Sequence, residues 1–405
     1  MKVAAIICEY NPFHKGHQYH IELTKKITGC DALICIMSGS FMQRGIPAII
    51  DKWSRAETAV LCGADLVLEL PVIYATSSAE IFAKGSVSIL DDLGIVDFLS
   101  FGSECGDAEL IKNTSKILAM EPVEYKEILK HNLKLGLPFA RAREKALKGY
   151  LHKVGIDFGN EKELQELLSS SNNILAIEYC KALYNRNSNI EPITIVRQGE
   201  SYNSLHMSSG YASATAIREK LKSTYTQGLE PFMPAATIAK LNEIKSKGVN
   251  FAYEEHMFPY LKYKLLTQRE LHKLPDVSEG LDNCIYQSLH SADSFHGLVM
   301  GAKSKRYTYT RISRILCQYF IGLEQFPLSS LRNSTSDYAR VLAFNDVGRI
   351  VLKQIKASSG LEVITKLPKT TCSMLEADLK STASYSVLNP SLSSKEDYIR
   401  GPVYI

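Results

Sequence analysis

The sequence predicts an α/β fold built on a parallel sheet and followed by a mainly helical, basic half. Three observations predict it. Short apolar runs alternate with helical patterns through the first hundred positions, at spacings of about 30 residues. Polar or glycine-containing turns follow the ends of those runs, where parallel sheets bind ligands. Beyond Thr224–Pro234, where Gly228, Pro231 and Pro234 interrupt the pattern, long helical segments take over. The expected domains are therefore 1–225 and 226–405.

The elements can be taken in order. Lys2–Ile7 is short and continuously apolar, as a strand buried on both faces would be. Asn11-Pro12 breaks it, and Gly16–Ile27 reads as a helix. Asp31–Met37 is a second strand, ending in Ser38-Gly39-Ser40 and the loop Phe41–Pro47. A helix over Lys52–Cys62, a strand over Asp65–Leu70, a helix over Ser78–Leu90 and a strand over Val96–Phe101 follow. Residues 107–185 are mostly helical in pattern, with Ser171-Asn172-Asn173 as an N-cap region. A last strand, Ile193–Val196, ends at Arg197. A polar loop rich in Ser and Gly then leads to Ala212–Arg218, a second helix opening decorated with hydroxyls. In the second half, Ala235–Lys247, Tyr260–His272 and Arg311–Phe320 read as helices, and the pattern turns mixed near Phe344 and Gly348.

Composition narrows the class. The chain has 405 residues, 45% hydrophobic and 22% charged, the proportions of an ordinary globular protein. No uninterrupted apolar stretch approaches the roughly 20 residues of a membrane span. The apolar run at the start is too short for a signal peptide and leads straight into a motif. Nine scattered cysteines without a CxxC pair indicate neither a zinc site nor a disulfide frame. The expectation is a cytoplasmic protein with reduced thiols and no membrane association. The net charge of +4 is small, but Lys303–Lys369 holds 12 basic residues against 4 acidic.

The stretch that organises the chain is Cys8-Glu9-Tyr10-Asn11-Pro12-Phe13-His14-Lys15-Gly16-His17. It sets two histidines three residues apart, around a glycine, at the first helix opening after the first strand. Free N–H groups and the positive dipole end of a helix suit phosphate. Imidazoles there add donors, and Gly16 leaves room for close approach. The reading is a nucleotide-phosphate site. His14, Ser38, Arg44 and Gly102 all lie just past strand ends, so they should gather on one rim. Arg44 has two readings: it holds a small anionic group or a phosphate oxygen, or it anchors its loop to a backbone carbonyl. Gly102 either allows close approach of an adenosine or is a turn glycine. Asp51 and Asp65 read as structural caps. The stretch Lys303–Arg314 interleaves Tyr307 and Tyr309 with cations, a composition suited to phosphate contacts and base stacking. The competing reading is a solvated helix face.

His14-x-Gly16-His17 after a first strand resembles the HxGH signature of the nucleotidylyltransferase superfamily. Ser213-Ala214-Thr215-Ala216-Ile217-Arg218 is similar to that superfamily's second signature, a Ser/Thr-rich turn opening a late helix. The likeness is closer still. Glu9–His17, Met37–Gly45, Phe101-Gly102-Ser103-Glu104, Asn172-Asn173-Ile174-Leu175, Lys305–Arg314 and Arg340–Asn345 together resemble the tRNA(Met) cytidine acetate ligase family across nearly the whole chain. The chain departs from the family pattern at Ser171 and Ala176, where proline and glycine are usual.

The resemblance implies a Rossmann-like parallel sheet of the HxGH nucleotidylyltransferase type. It implies that ATP activates acetate as acetyl-adenylate, which then acetylates the exocyclic amine of the wobble cytidine of elongator tRNA-Met. His14, His17 and Arg44 are the expected catalytic residues. The expected ATP-binding residues are Ile7, Cys8, Glu9, Tyr10, Asn11, Pro12, Phe13, His14, Lys15, Gly16, His17, Gln18, Tyr19 and His20, together with Gly102, Asn172, Arg197, Ser213, Thr215 and Arg218. Lys303, Lys305, Arg306, Arg311 and Arg314 are the expected RNA contacts. Mg2+ is the expected companion of ATP, although no carboxylate cluster in the sequence singles itself out as its ligand. Two other readings stand beside this one: an adenylyltransferase of cofactor biosynthesis, and a non-catalytic RNA-binding protein on a nucleotide-binding fold.

Overall fold

The computed structural model describes residues 1–137, 139–155, 161–197 and 212–405. The Ser- and Gly-rich loop expected before Ala212 lies outside them. The chain forms two compact units, Met1–Asp97 with Gln198–Ile405, and Phe98–Arg197. This division differs from the expected boundary near 225. Its physical reason is a strand that the sequence pattern had not separated from its helical surroundings.

In the first unit, β1 (Val3–Cys8), β2 (Ala32–Ser38) and β3 (Leu66–Leu70) run parallel, with β2 between the other two. β2 is buried along its whole length, which is why its sequence is continuously apolar rather than alternating. Asp65 fixes its start: Oδ2 accepts from the Leu33 N–H at 2.8 Å and from Lys25 Nζ at 3.0 Å. The helices α1 (Lys15–Thr28) and α2 (Lys52–Leu61) follow β1 and β2, close to their expected bounds. Asp51 caps α2 as expected, accepting from the Ser54 N–H at 3.0 Å.

The C-terminal half is mainly helical, yet it returns to this sheet. The strand Tyr338–Phe344 pairs antiparallel with β3, and it is joined by Glu362–Ile364 and Val403–Tyr404, both parallel to it. A buried charge network lies beside them. Lys52, fully buried, places Nζ 2.7 Å from Glu69 Oε1 and 2.9 Å from Asp397 Oδ1. Arg340 Nη2 lies 2.7 Å from the same Asp397 oxygen. Burial alone would lower the Arg340 guanidinium, but Glu69 and Asp397 hold it above its ordinary value. Residues 226–405 thus supply sheet strands and counter-charges as well as helices.

In the second unit, Phe98–Ser103 and Glu191–Val196 form a parallel pair, in register from Phe98 opposite Glu191 to Ser103 opposite Val196. Between them the chain is helical, as the pattern predicts. Ala108–Met120 and Ser171–Arg186 are linked where Ser115 Oγ donates to the Ile177 carbonyl at 3.0 Å.

Candidate active site

The turn after β1 is built largely from its own side chains. Tyr10 and Phe13 are buried with ring centroids 4.7 Å apart, and His17 packs 4.9 Å from Tyr10. Burial pushes the Cys8 thiol and the Tyr10 phenol well up, so both stay neutral beneath the turn. Asn11 clamps the turn to the next loop: Oδ1 accepts from the Ile49 N–H at 2.9 Å, and Nδ2 donates to the Pro47 carbonyl at 3.3 Å.

His14 is the N-cap of α1, and its Nδ1 accepts from the Gly16 N–H at 3.1 Å. His17 Nδ1 accepts in turn from the His14 N–H at 3.3 Å. The two rings stack with centroids 3.6 Å apart and planes 23° from parallel. With each Nδ1 accepting, the neutral imidazoles carry their protons on Nε2. The helix opening therefore holds two ring N–H donors in one orientation, set by spacing three along a helix. Gln18, Tyr19 and His20 continue the first turns of α1, all half-buried.

The second helix opening meets this turn. Ser213 caps the helix Ala214–Thr224, its Oγ accepting from the Ala216 N–H at 3.0 Å. Arg218, buried, donates from Nη1 to the Asn11 carbonyl at 2.9 Å and from Nη2 to Thr215 Oγ1 at 3.1 Å. The Lys15 N–H donates to the Phe232 carbonyl at 2.9 Å. Ile49, Ile50, Ile217, Leu221 and Met233 share an apolar core beneath. The structure thus brings together His14, His17, Ser213, Thr215 and Arg218. It also shows the Ser213 and Thr215 hydroxyls and the Arg218 guanidinium holding this junction.

Arg44 lies half-buried in the tight loop after β2, where Phe41 bridges Pro47 and the Met42 N–H donates to the Ile46 carbonyl at 2.9 Å. Glu9 faces that loop, its Oε1 accepting from the Gln43 N–H at 2.6 Å. Burial raises the Glu9 carboxyl above its ordinary range. The Gln43 N–H and then Arg44, Arg218 and Arg55 oppose that rise. Gly45 has φ +76°, and a Cβ there would lie 2.4 Å from the Arg314 backbone nitrogen. Ser313 Oγ donates to the Gly45 carbonyl at 3.0 Å, so the loop rests directly on the helix Tyr309–Ile321.

Sequence reasoning missed Arg55. It is 1% exposed and reaches the ends of two strands: Nη1 donates to the Glu9 carbonyl at 2.7 Å and the Ser38 carbonyl at 3.0 Å, and Nη2 to Gly39. The only hint was an arginine within the apolar spacing of α2.

In the second unit, Gly102, Asn172 and Arg197 also come together. A Cβ on Gly102 would lie 3.1 Å from Arg197 Cγ. Arg197 Nη1 donates to Asn172 Oδ1 at 2.8 Å, and Asn172 Nδ2 donates to Glu104 Oε1 at 2.7 Å. The helix starts at Ser171, earlier than the cap expected at 171–173, because Glu104 supplies acceptors for its opening. Glu104 Oε2 takes the Asn173 N–H at 2.8 Å. Glu104 is a second residue whose positioning role was not read from the sequence, although its motif was.

The expected RNA residues meet different fates. Lys303, Lys305 and Arg306 are exposed, and Arg306 Nη2 lies 2.6 Å from Glu279 Oε1. Arg311 is half-buried, donating to the Asp276 carbonyl at 2.9 Å and to Ser278 Oγ at 2.9 Å. Arg314 is half-buried on the same helix. Tyr307, expected to offer a stacking face, is instead buried, its hydroxyl donating to the Glu279 carbonyl at 2.8 Å.

A parallel sheet with two histidines at the first helix opening and a capped late helix locked against them defines a nucleotidyl transferase. In agreement, the family described as HIGH Nucleotidyl Transferase matches residues 1–398. The tRNA(Met) cytidine acetate ligase of Clostridium novyi is 49% identical over 407 residues, covering 100% of both chains. That of Clostridium kluyveri is 47% identical over 408 residues, covering 100% of this chain and 99% of its own. Thermotoga maritima TmcAL bound with alpha-thio ATP superposes with a TM-score of 0.91 at 32% identity, each chain covered in full. The chain belongs to the tRNA(Met) cytidine acetate ligase family.

Proposed function

We propose that this chain is an ATP-dependent ligase that joins acetate to the exocyclic amine of the wobble cytidine of elongator tRNA-Met, giving N(4)-acetylcytidine through acetyl-adenylate. The observation that carries the reading is the pair of helix openings locked together by Arg218 beneath two stacked imidazoles. It occurs in a chain alike over its full length to ligases of that name.

Acetate is ionised at neutral pH, so it attacks the α-phosphate of ATP without a general base. One acetate–phosphorus bond forms as the bond to the β-phosphate oxygen breaks, and pyrophosphate leaves with the electron pair. The protein supplies position and charge neutralisation. His14 and His17 present Nε2–H donors to phosphate oxygens beside the α1 N-terminus, and Arg44 pairs with acetate or a phosphate oxygen. In the second step the cytosine amine attacks the acetyl carbon and loses a proton, and AMP departs. Mg2+ would be held by the ATP phosphates and would neutralise their charge; among the described residues no group of three or more His, Cys, Asp or Glu side chains is placed to hold it. The buried side chains of Tyr10, Asn11, Pro12 and Phe13 shape the turn, leaving its backbone for the nucleotide. Gly102, Asn172 and Arg197 are a separate nucleotide-contact proposal, supported by a guanidinium held by Asn172 beside a bare glycine; Arg197→Ala should raise the KM for ATP. Lys303, Lys305 and Arg306, exposed, with Arg311 and Arg314 behind them, make the 226–405 half the RNA-binding part. The proposed setting is the cytoplasm, where tRNA and ATP meet. No helix among the described residues is long and apolar enough to cross a membrane.

The test is acetate-dependent exchange of pyrophosphate into ATP, followed by acetyl transfer from labelled acetate to purified tRNA. Both activities are expected. Adenylylation of another metabolite would favour the cofactor adenylyltransferase, and RNA binding without any turnover would favour the non-catalytic reading.

A further inference from the structure

The helix Tyr309–Ile321 brings Arg311 and Arg314, and the helix Leu328–Asn333 brings Arg332, to the neighbourhood of one carboxylate, that of Asp276. Arg332 Nη2 lies 3.0 Å from Asp276 Oδ2, and Gln318 Nε2 shares that oxygen at 3.4 Å. Arg311 uses the Asp276 backbone carbonyl and Ser278 instead. Arg314 lies in the same cluster and makes no hydrogen bond with any described residue. Burial lowers its guanidinium, Asp276 opposes this, and Arg332 and Arg311 lower it further. The Arg332 Nε–H, in a side chain 5% exposed, has no acceptor among the described residues either. Three cations around one anion, with the buried Arg332 Nε–H unmet among the described residues, is a costly arrangement for a fold to keep without a use.

Its position suggests the use. The backbone of Ser313 and Arg314 is the surface on which Gly45 rests, and Gly45 ends the turn that carries Gln43 and Arg44. Gln318 Nε2 donates to the Thr76 carbonyl at 2.7 Å, and Gln43 Nε2 to the Ser77 carbonyl at 3.1 Å. The backbone that carries Arg314 therefore lies directly against the turn whose Gln43 N–H holds Glu9.

We propose that Arg314, with Arg311 and Arg332 around Asp276, forms a binding site for a backbone phosphate of the RNA substrate, holding the strand next to the Gln43–Gly45 turn. The planar fork of a half-buried arginine that makes no hydrogen bond with a described residue suits a phosphate oxygen pair. This rests on the ligase reading above, which supplies the RNA.

The test is Arg314→Gln and Arg314→Lys in the full chain. For Arg314→Gln the KM for tRNA should rise about tenfold, and the slope of log affinity against log salt should shrink by roughly one. The effect on the KM for ATP in the tRNA-free exchange should be at least about fivefold smaller. Arg314→Lys should keep the salt slope. The melting temperature of Arg314→Gln should stay level or rise, because removing one of three crowded cations relieves repulsion. An unaltered tRNA KM and salt slope would overturn the proposal. So would a loss confined to the ATP KM, which would assign the site to the nucleotide, or a fall in melting temperature with equal loss in both assays. If the wild type shows no acetate-dependent exchange, the ligase reading fails separately, and filter binding of tRNA still decides on Arg314.

Discussion

Two helix openings in this molecule are rich in groups that suit phosphate, and they are organised in opposite ways. At His14 the chain closes on itself. Each imidazole accepts a backbone N–H from within three residues, and the rings stack as a consequence. At the start of the helix Tyr309–Ile321 the backbone is capped locally by Thr308, but the cations are settled by residues distant in sequence. Arg306 goes to Glu279, Arg311 to Asp276 and Ser278, and Arg314 to no hydrogen-bond partner among the described residues. A site made by helix geometry is rigid before its ligand arrives. A site made by a charge run takes its form from residues far away in sequence, and it can leave one cation unspent.

The largest expected effect breaks the first opening. His14→Ala should lower acetate-dependent pyrophosphate exchange by about 100-fold or more, as for loss of a transition-state donor, while tRNA binding by filter assay persists. Exchange at the wild-type rate would remove the imidazole pair from the chemistry. Next is the point where the two regions touch. Gly45→Ala puts a Cβ 2.4 Å from the Arg314 backbone nitrogen at a positive φ, where alanine is strained. It should cost about 2 kcal/mol in urea unfolding. An unchanged midpoint would mean that loop and helix are not firmly joined. A smaller effect is expected from Lys303→Glu with Lys305→Glu, which should weaken tRNA binding about tenfold at low salt and flatten its salt dependence. Equal affinity would take this stretch off the RNA path.

The smallest effect concerns Glu9. Its carboxyl is raised in the folded chain, so between the ordinary carboxylate range and that higher value the folded state holds a proton that the unfolded state has released. Stability should therefore fall as pH rises through that window, and Glu9→Gln should remove the fall. Urea midpoints measured from pH 4 to pH 7 check it; an identical slope in the variant would move the effect to other groups.

What was legible in the sequence follows the same contrast. The strands Val3–Cys8, Ala32–Ser38 and Leu66–Leu70 could be read because a doubly buried strand must be apolar throughout. The HxGH opening could be read because spacing three on a helix fixes its own geometry. Tyr338–Phe344 was not separated from its helical neighbours, since it joins the sheet through β3, far back in the sequence. The domain division followed from that omission. Tyr307 could not be placed either: its partner Glu279 lies on another segment, and nothing in an alternation of tyrosines and cations says which ring turns inward. Arg55 and Glu104 act through backbone groups of distant turns, which leave no trace in residue spacing.

The buried network of Lys52, Glu69, Arg340 and Asp397 has a consequence for synthesis. A ribosome delivers Lys52 and Glu69 early, Arg340 late and Asp397 later still, yet Asp397 touches both cations. Until residue 397 has left the exit tunnel, the sheet cannot close around this group without burying two cations against one carboxylate, a state worth several kcal/mol of penalty. The nascent first unit is thereby kept waiting for its distal segment. A message truncated before that codon yields a chain that cannot complete its core, open to chaperones and proteases rather than to tRNA.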